Sequence, residues 1–284
     1  MATSPEAEPR LVLPIEGYLL GRHQESLVNG AELVLVGTCL RSLGFSYKTP
    51  KITVVSPADD PGRGYHRYGV TSPGEAAENG YHLPASRGPA PEQPEFSKAE
   101  EPAILGGQLA NADGSTTAPA KQIVLPNGDK VPPGGCLGQA RHTLLTAGGT
   151  AGDAPMASSI DLQSFQQSAA EAGVKSAFSK WSACMKQHGF TYAAPLDAMN
   201  DPKFTTPAPT ALEKTVARTD ALCKQQADVI ATWYGADVAL QTKKIAAAGK
   251  SMAVIKSGIA AELHSATQVL QTAGALTPSG ATSG

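Results

Sequence analysis

Histidines and arginines in the first half of the chain are the side chains best suited to acid–base chemistry. His66, Arg67 and His82 lie in or beside a glycine-rich stretch, and Arg141 and His142 follow a "GGC" turn. Imidazole titrates near neutral pH, and guanidinium pairs with anions. If folding brings these five residues together, they form a polar cluster that holds an anion or transfers protons. Ordinary packing of loops is the alternative interpretation.

A twelve-residue pattern occurs twice, as "CLRSLGFSYKTP" at residues 39–50 and "CMKQHGFTYAAP" at residues 184–195. Apolar residues recur at helical spacing before each copy, so each copy is predicted to end a helix. Gly44 and Gly189 then stand where a helix closes in a left-handed turn, and the phenylalanine that follows folds back on the last turn. The pattern is explained either by two similar helix ends or by an internal duplication.

The four cysteines allow three pairings. A second cysteine follows each copy of the pattern, so the repeat selects Cys39 with Cys136 and Cys184 with Cys223, one disulfide in each half. Bridges of this length stabilise a fold by roughly 4 to 5 kcal/mol in the loop-entropy description. Four free, buried thiols are the alternative for a cytoplasmic protein.

Cys184 and His188 are four residues apart on one helical face, a spacing that two metal ligands can have. The position that matches His188 in the first copy is Leu43, which cannot bind a metal. We therefore interpret His188 as a partly buried side chain beside Trp181. The sequence leads us to expect neither a metal site nor a cofactor.

The composition of the chain limits which kinds of molecule it is expected to bind and where it is expected to be located. Of 284 residues, 17% are charged and the net charge is −2, which gives no basic surface for a nucleic acid. The sequence has no run of 18 apolar residues and predicts no membrane-spanning helix. Residues 1–10 lack the features of a signal peptide, which taken alone favours the cytoplasm. The even number of cysteines favours an oxidising compartment instead.

The sequence combines helical patterns with many glycines and prolines, 29 and 22 in the whole chain. This combination predicts a mainly α fold with long irregular loops and a small β-hairpin, stapled by disulfides. We expect two helical halves, residues 11–155 and 156–273. Tails at residues 1–10 and 274–284 are expected to be disordered.

The first half is predicted to begin with a helix at residues 21–43 and a short β-rich or extended piece at 51–55. An ordered loop at 61–84 and a linker at 84–101 follow. A hairpin at 121–132 is predicted to turn at Asn127–Gly128. The second half is predicted to contain a helix at residues 159–188. A capping box at Thr210 and Glu213 then begins a long segment that ends near residue 273. That segment is either one long helix or a hairpin broken near Gly249.

The chain resembles a family of extracytoplasmic actinobacterial proteins, many of them lipoproteins. The resemblance is carried by the paired "CLRSLGFSY" and "CMKQHGFTY", by "RYGV" followed by "GYHLP", by "GGCLGQAR" and by "TDALC", and it spans about residues 17–245. It implies a location in the cell envelope and a genomic association with export systems. It implies no activity, so it transfers no catalytic residue.

We expect a non-catalytic binding or accessory protein, secreted or attached to the envelope, with a protein or cell-wall partner. The sequence shows no nucleophile beside a base. One alternative is a hydrolase that acts on cell-wall material, which requires a concave site with convergent titratable groups. Another is a structural module that associates through the long C-terminal helix.

Overall fold

The computed structural model describes residues 10–84, 92–107, 109–110, 116–117, 122–145 and 154–276, and this part of the chain is mainly helical, as predicted. The helices are α1 (Arg22–Ser42), α2 (Pro73–Asn79), α3 (Glu101–Leu105), α4 (Gly135–Leu145), α5 (Pro155–Ala169), α6 (Ala172–Gln187), α7 (Pro195–Met199), α8 (Ala211–Gln226), α9 (Val229–Ala247) and α10 (Gly249–Thr272). Two short antiparallel strands, β1 (Leu109–Ala110) and β2 (Thr116–Thr117), form the only sheet among the described residues.

The chain forms two compact units, each built from non-contiguous segments. The described residues of unit 1 are 10–17, 61–84 and 155–249, and those of unit 2 are 18–60, 92–154 with the gaps given above, and 250–276. This division differs from the halves 11–155 and 156–273 that the sequence suggests. The loop at 61–84 packs with second-half helices, and α10 packs with first-half helices. Most of the expected tails, residues 1–9 and 277–284, lies outside the described residues.

The core of unit 1 is aromatic. Trp181 of α6, Trp233 of α9 and Tyr68 of the 61–84 loop are almost completely buried. The ring centroids of Tyr68 and Trp233 are 5.1 Å apart, and those of Phe165 and Trp233 are 5.2 Å apart. The aromatic residues that the sequence concentrates in this unit therefore form one contiguous packing cluster.

The core of unit 2 is aliphatic and has two parts. Buried residues of α1, α3 and α4 form one part around the pair Cys39 and Cys136. Ala31 of α1, Leu144 of α4, and Ala266 and Leu270 of α10 form the other. The second part is the reason that α10 belongs to unit 2, because its apolar face has its buried contacts there.

Both disulfides are those that the repeat selects. Cys39 pairs with Cys136 and Cys184 pairs with Cys223, with Cα–Cα distances of 5.5 and 5.7 Å. One bridge lies in unit 2 and the other in unit 1, so each braces its own core.

The two copies of the twelve-residue pattern end their helices alike. Gly44 has φ of 86° and Gly189 has φ of 87°, both in the left-handed region. The amide of the following phenylalanine donates to the carbonyl oxygen of Leu40 in α1, at 3.1 Å, and of Met185 in α6, at 3.0 Å. The predicted Schellman endings are confirmed. The internal duplication itself stays a prediction.

Two long helices predicted from the sequence are divided. The helix expected at 159–188 ends at Ala169 and resumes at Ala172 as α6, with Glu171 in an extended conformation between them. The segment after Thr210 forms three helices, not one helix or a two-helix hairpin. Its first break is at Asp228, whose φ of 53° is incompatible with a continuing right-handed helix. Its second break, at Ala248, adjoins the predicted position Gly249.

Two smaller expectations are corrected, and one open alternative is resolved. The hairpin at residues 122–132 turns through three residues, since the Leu125 amide donates to the Asp129 carbonyl, and Gly128 has φ of 90°. This is the loop that a type I turn and a left-handed glycine produce. The piece at 51–55, predicted to be β-rich or extended, forms no strand among the described residues. The 92–101 part of the expected linker is folded into unit 2 and leads into α3.

Candidate functional site

Unit 2 contains an open cavity of about 470 Å³, within the size range of ligand sites. Its apolar wall comes from α1, α3, α4 and the segment before α3, and consists of Leu33, Val36, Phe96, Ile104, Leu105 and Leu137. Glu32, Lys98 and Glu101 are the charged residues of the lining. The cavity is therefore an apolar recess with a few charged groups around it.

A disulfide and a close contact at one glycine hold the walls together. The Cys39–Cys136 bridge joins α1 to α4 beside Val36 and Leu137. A Cβ added to Gly135 would lie 2.1 Å from the carbonyl oxygen of Ile104, so α3 and the start of α4 can approach this closely only because that residue is glycine. The "PGGC" motif thus positions one wall of the cavity.

The segment before α3 is fixed by its own hydrogen bonds. The carboxylate of Glu100 accepts from the backbone amide of Ser97 at 2.7 Å and from its hydroxyl at 2.8 Å. Phe96 stacks on Tyr47 with ring centroids 5.4 Å apart. Tyr47 is buried, and burial, together with the nearby Glu100, raises the pKa of its hydroxyl. The edge of the cavity is therefore ordered although it has no long helix.

The mouth of the cavity is apolar with an acidic flank. Phe96 and Leu105 are 42% and 38% exposed, which is high for side chains of this size in a folded protein. Residues 92–101 carry four glutamates and one lysine, a net charge of −3. Glu32, which lines the cavity from α1, accepts a hydrogen bond from Arg141 at 3.1 Å. The segment beside the mouth therefore has an excess of negative charge, although Lys98 also lines the cavity.

Unit 1 has a large side chain at the position that corresponds to this cavity. Val36 precedes Cys39 by three residues, and Trp181 precedes Cys184 by three residues, on helices with the same ending. Trp181 is fully buried and its indole N–H donates to Asp220 at 2.8 Å. Unit 2 has only a valine there, and that valine lines the cavity.

The five residues of the predicted polar cluster lie in different units. His66, Arg67 and His82 belong to unit 1, whereas Arg141 and His142 are exposed on α4 of unit 2. Neither unit therefore assembles the whole cluster. Each of the members described below pairs with a carboxylate close to it.

Arg67 is the member with the most contacts. Its guanidinium lies 2.8 Å from Asp161 and 2.7 Å from Asp237, and it also stacks on Phe165. Asp237 is fully buried and accepts a further hydrogen bond from the Tyr68 hydroxyl at 2.8 Å. Burial, reinforced by Asp237, raises the pKa of that hydroxyl. This network attaches the 61–84 loop to α5 and α9.

The two histidines of unit 1 have separate partners. His66 Nε2 lies 3.3 Å from Glu75, a carboxylate that also accepts from the Tyr65 hydroxyl, and His66 has a left-handed φ of 54°. His82 contacts Glu213 through Nδ1 and the Thr206 carbonyl through Nε2, both at 2.8 Å. The bond to that carbonyl, and then the bond to Glu213, raise the pKa of His82. His66 is therefore paired inside the 61–84 loop, since Glu75 belongs to α2, whereas His82 connects the loop to α8.

Sequence reasoning missed the fully buried charges of unit 1, which are Glu213, Asp220, Lys224 and Asp237. The i, i+4 spacing of Asp220 and Lys224 on one helix was the available signal for an ion pair. Glu213 was identified only as part of a capping box, and the structure shows that its carboxylate also accepts from the Tyr81 amide at 2.9 Å.

Comparison with known protein families, with curated proteins and with solved structures finds no match for this chain. Among the described residues, every helix is too short or too polar to cross a membrane. The two disulfides are typical of proteins in oxidising, extracytoplasmic compartments.

Proposed function

We propose that the protein is a non-catalytic binding or accessory protein of the cell envelope or extracellular space, and that its unit 2 cavity receives a bulky apolar side chain of a protein partner. The open apolar cavity carries this proposal. Its walls are preformed, since a disulfide and a glycine contact hold α1, α3 and α4 in place. A preformed cavity lowers the entropic cost of binding.

The exposed side chains at the mouth support an occupant of this kind. Phe96 and Leu105 are in contact with water, and a partner side chain would cover them. Burial of apolar area is the main favourable term in most protein association, and a few aromatic or aliphatic anchors in pockets carry most of it.

Charge complementarity favours a partner with basic residues beside that anchor. The 92–101 segment has a net charge of −3, and Glu92, Glu95 and Glu101 are exposed there. Lys98 also lines the cavity, but the acidic excess of this segment attracts basic groups and speeds their association. The occupant we propose is therefore a phenylalanine or leucine flanked by lysines or arginines.

The polar residues of unit 1 support a binding role over a hydrolytic one. Arg67, His66 and His82 each pair with a carboxylate of unit 1. Arg67 binds the loop to α5 and α9, His82 binds it to α8, and His66 pairs with α2 inside the loop. A hydrolase would instead need such groups to converge on a concave site.

Calorimetry with three short peptides tests the proposal. The peptides are KKGFGKK, EEGFGEE and KKGAGKK, each acetylated and amidated. We expect KKGFGKK to bind, and we expect the other two to bind at least about tenfold more weakly, a difference of about 1.4 kcal/mol.

Two tryptophan variants provide the structural control. Val36→Trp places in the cavity the side chain that unit 1 has at the corresponding position, so it should abolish binding of KKGFGKK. Val254→Trp makes the same change at a valine of α10 that is 64% exposed, and it should leave binding unchanged. The proposal would be refuted if Val36→Trp bound KKGFGKK as tightly as the natural protein does. It would also be refuted if the natural protein bound KKGFGKK and KKGAGKK equally.

A further inference from the structure

The second disulfide has a histidine beside it. A ring nitrogen of His188 and the sulfurs of Cys184 and Cys223 all lie within 4.8 Å of one another. His188 is exposed at the end of α6, not partly buried as the sequence suggested. Two sulfurs and an imidazole nitrogen are a ligand set that Zn²⁺ prefers.

Two helices end at this group. Cys184 is three residues before the last residue of α6, and Cys223 is three residues before the last residue of α8. The disulfide therefore brings two helix C-termini together. The helix dipoles place partial negative charge at these two ends, which favours a bound cation. The side-chain oxygen of Gln226, which lies 3.4 Å from the Cys184 sulfur, is a further atom able to coordinate a cation.

The first disulfide lacks both features. Cys39 is near the end of α1, but Cys136 is the second residue of α4, so a helix C-terminus meets a helix N-terminus. Leu43 occupies the position that matches His188, and it is buried. The difference between Leu43 and His188, which argued against a metal site in the sequence, distinguishes the two bridges in the structure.

We propose that Cys184, His188 and Cys223 bind one thiophilic divalent cation, with Zn²⁺ as the representative, when the disulfide is reduced. A dithiol reductant supplies two electrons by thiol–disulfide exchange and becomes a disulfide itself. The S–S bond breaks, and each sulfur gains one proton. Binding of Zn²⁺ then releases these two protons as two Zn–S bonds form. The neutral His188 imidazole donates its lone pair as the third bond.

Three protein ligands leave one position of a tetrahedral zinc site for water or for Gln226. The oxidised protein has no thiolate to offer, so the site exists only in the reduced form. The Cys184–Cys223 pair would then alternate between a structural bridge and a metal site, while Cys39–Cys136 serves as a bridge alone.

The test uses the full-length protein with both disulfides reduced by a phosphine in the absence of oxygen. Co²⁺ is the spectroscopic probe and Zn²⁺ is the competitor. We expect one Co²⁺ per chain, with the thiolate-to-metal charge-transfer band and the ligand-field bands of a tetrahedral site, and displacement by one equivalent of Zn²⁺. The oxidised protein should show neither band.

His188→Leu is the variant that gives the second pair the arrangement of the first. It should weaken Zn²⁺ binding by more than the roughly 10–100-fold that loss of an outer partner of a metal ligand costs. His142→Leu, which removes an exposed histidine of unit 2, should bind as tightly as the natural protein. The proposal would be overturned if His188→Leu bound Zn²⁺ as tightly as the natural protein, or if the reduced natural protein gave no tetrahedral Co²⁺ spectrum.

Reduction could also unfold unit 1, and circular dichroism covers that case. If helical signal is lost on reduction, one equivalent of Zn²⁺ should restore it in the natural protein and should fail to restore it in His188→Leu. Failure to restore it in the natural protein, or recovery in both proteins, contradicts the site.

Discussion

The ammonium of Lys224 lies 2.9 Å from the carboxylate of Asp220, and both side chains are fully buried in unit 1. Burial raises the pKa of Asp220, and Lys224 opposes that effect. Lys224 also donates to the Val70 carbonyl at 3.0 Å, and the Trp181 indole donates to Asp220. This pair therefore attaches the 61–84 loop to α6 and α8.

Removal of one partner from this pair should be costly. Lys224→Met leaves a buried carboxylate without its counter-charge, and we expect a loss of about 3 to 5 kcal/mol in the free energy of unfolding. The double variant Asp220→Leu with Lys224→Met should lose less than the single variant, because it leaves no unpaired charge. Denaturant unfolding of the three proteins measures this. A double variant that is less stable than Lys224→Met would contradict the account.

The ionisation of Glu262 should make the stability of unit 2 depend on pH. It is only 4% exposed, and one of its oxygens has no hydrogen-bond partner among the described residues. Burial, with a smaller effect of the nearby Glu32 carboxylate, raises its pKa from 4.5 to about 7. Between these values the folded protein keeps a proton that the unfolded chain releases, so stability falls as pH rises through this window.

Glu262→Gln should remove this penalty. The variant should equal the natural protein near pH 4 and exceed it at pH 8 by up to about 3 kcal/mol, at about 1.4 kcal/mol for each unit of pKa shift. Glu95→Gln, at an exposed glutamate of unit 2, is the control and should change little. Thermal unfolding from pH 4 to pH 8 measures the difference. Parallel curves for Glu262→Gln and the natural protein would show that Glu262 ionises normally.

The two helix-ending glycines make a paired prediction. Gly44→Ala and Gly189→Ala each force a side chain into a left-handed conformation, at a cost of about 1 to 2 kcal/mol. Gly44→Ala should cost slightly more, because its Cβ would lie 3.2 Å from Asn127 whereas open space surrounds that of Gly189. Chemical denaturation checks both. If either substitution were neutral, that helix would not end as described.

Local features of the fold could be predicted from the sequence. Each of these features depends on residues that are close in the sequence, so a short pattern is enough to identify it. They are the helix endings at Gly44 and Gly189, the capping box at Thr210, and the start and end of α1. The pairing of the cysteines followed from the repeated pattern. The repeat placed one bridge in each half, and the structure has one in each unit.

The division into units could not be predicted, because contacts between residues far apart in the sequence determine it. Arg67 lies 170 residues from Asp237, and Lys224 lies 154 residues from Val70. The cavity was missed for a similar reason. Its wall combines α1 with Phe96 and Leu105, which lie in or beside a proline-rich, acidic stretch that resembled a linker, and only the tertiary contacts show that this stretch is folded.

Photo-crosslinking tests most directly whether the cavity is the binding site. A KKGFGKK peptide with benzoylphenylalanine in place of its phenylalanine is irradiated with the oxidised protein, and mass spectrometry locates the attachment. We predict attachment within residues 32–36, 94–105 or at Leu137, and its loss in Val36→Trp but not in Val254→Trp. Attachment mainly in unit 1, or an unchanged pattern in Val36→Trp, would contradict a binding role for this cavity.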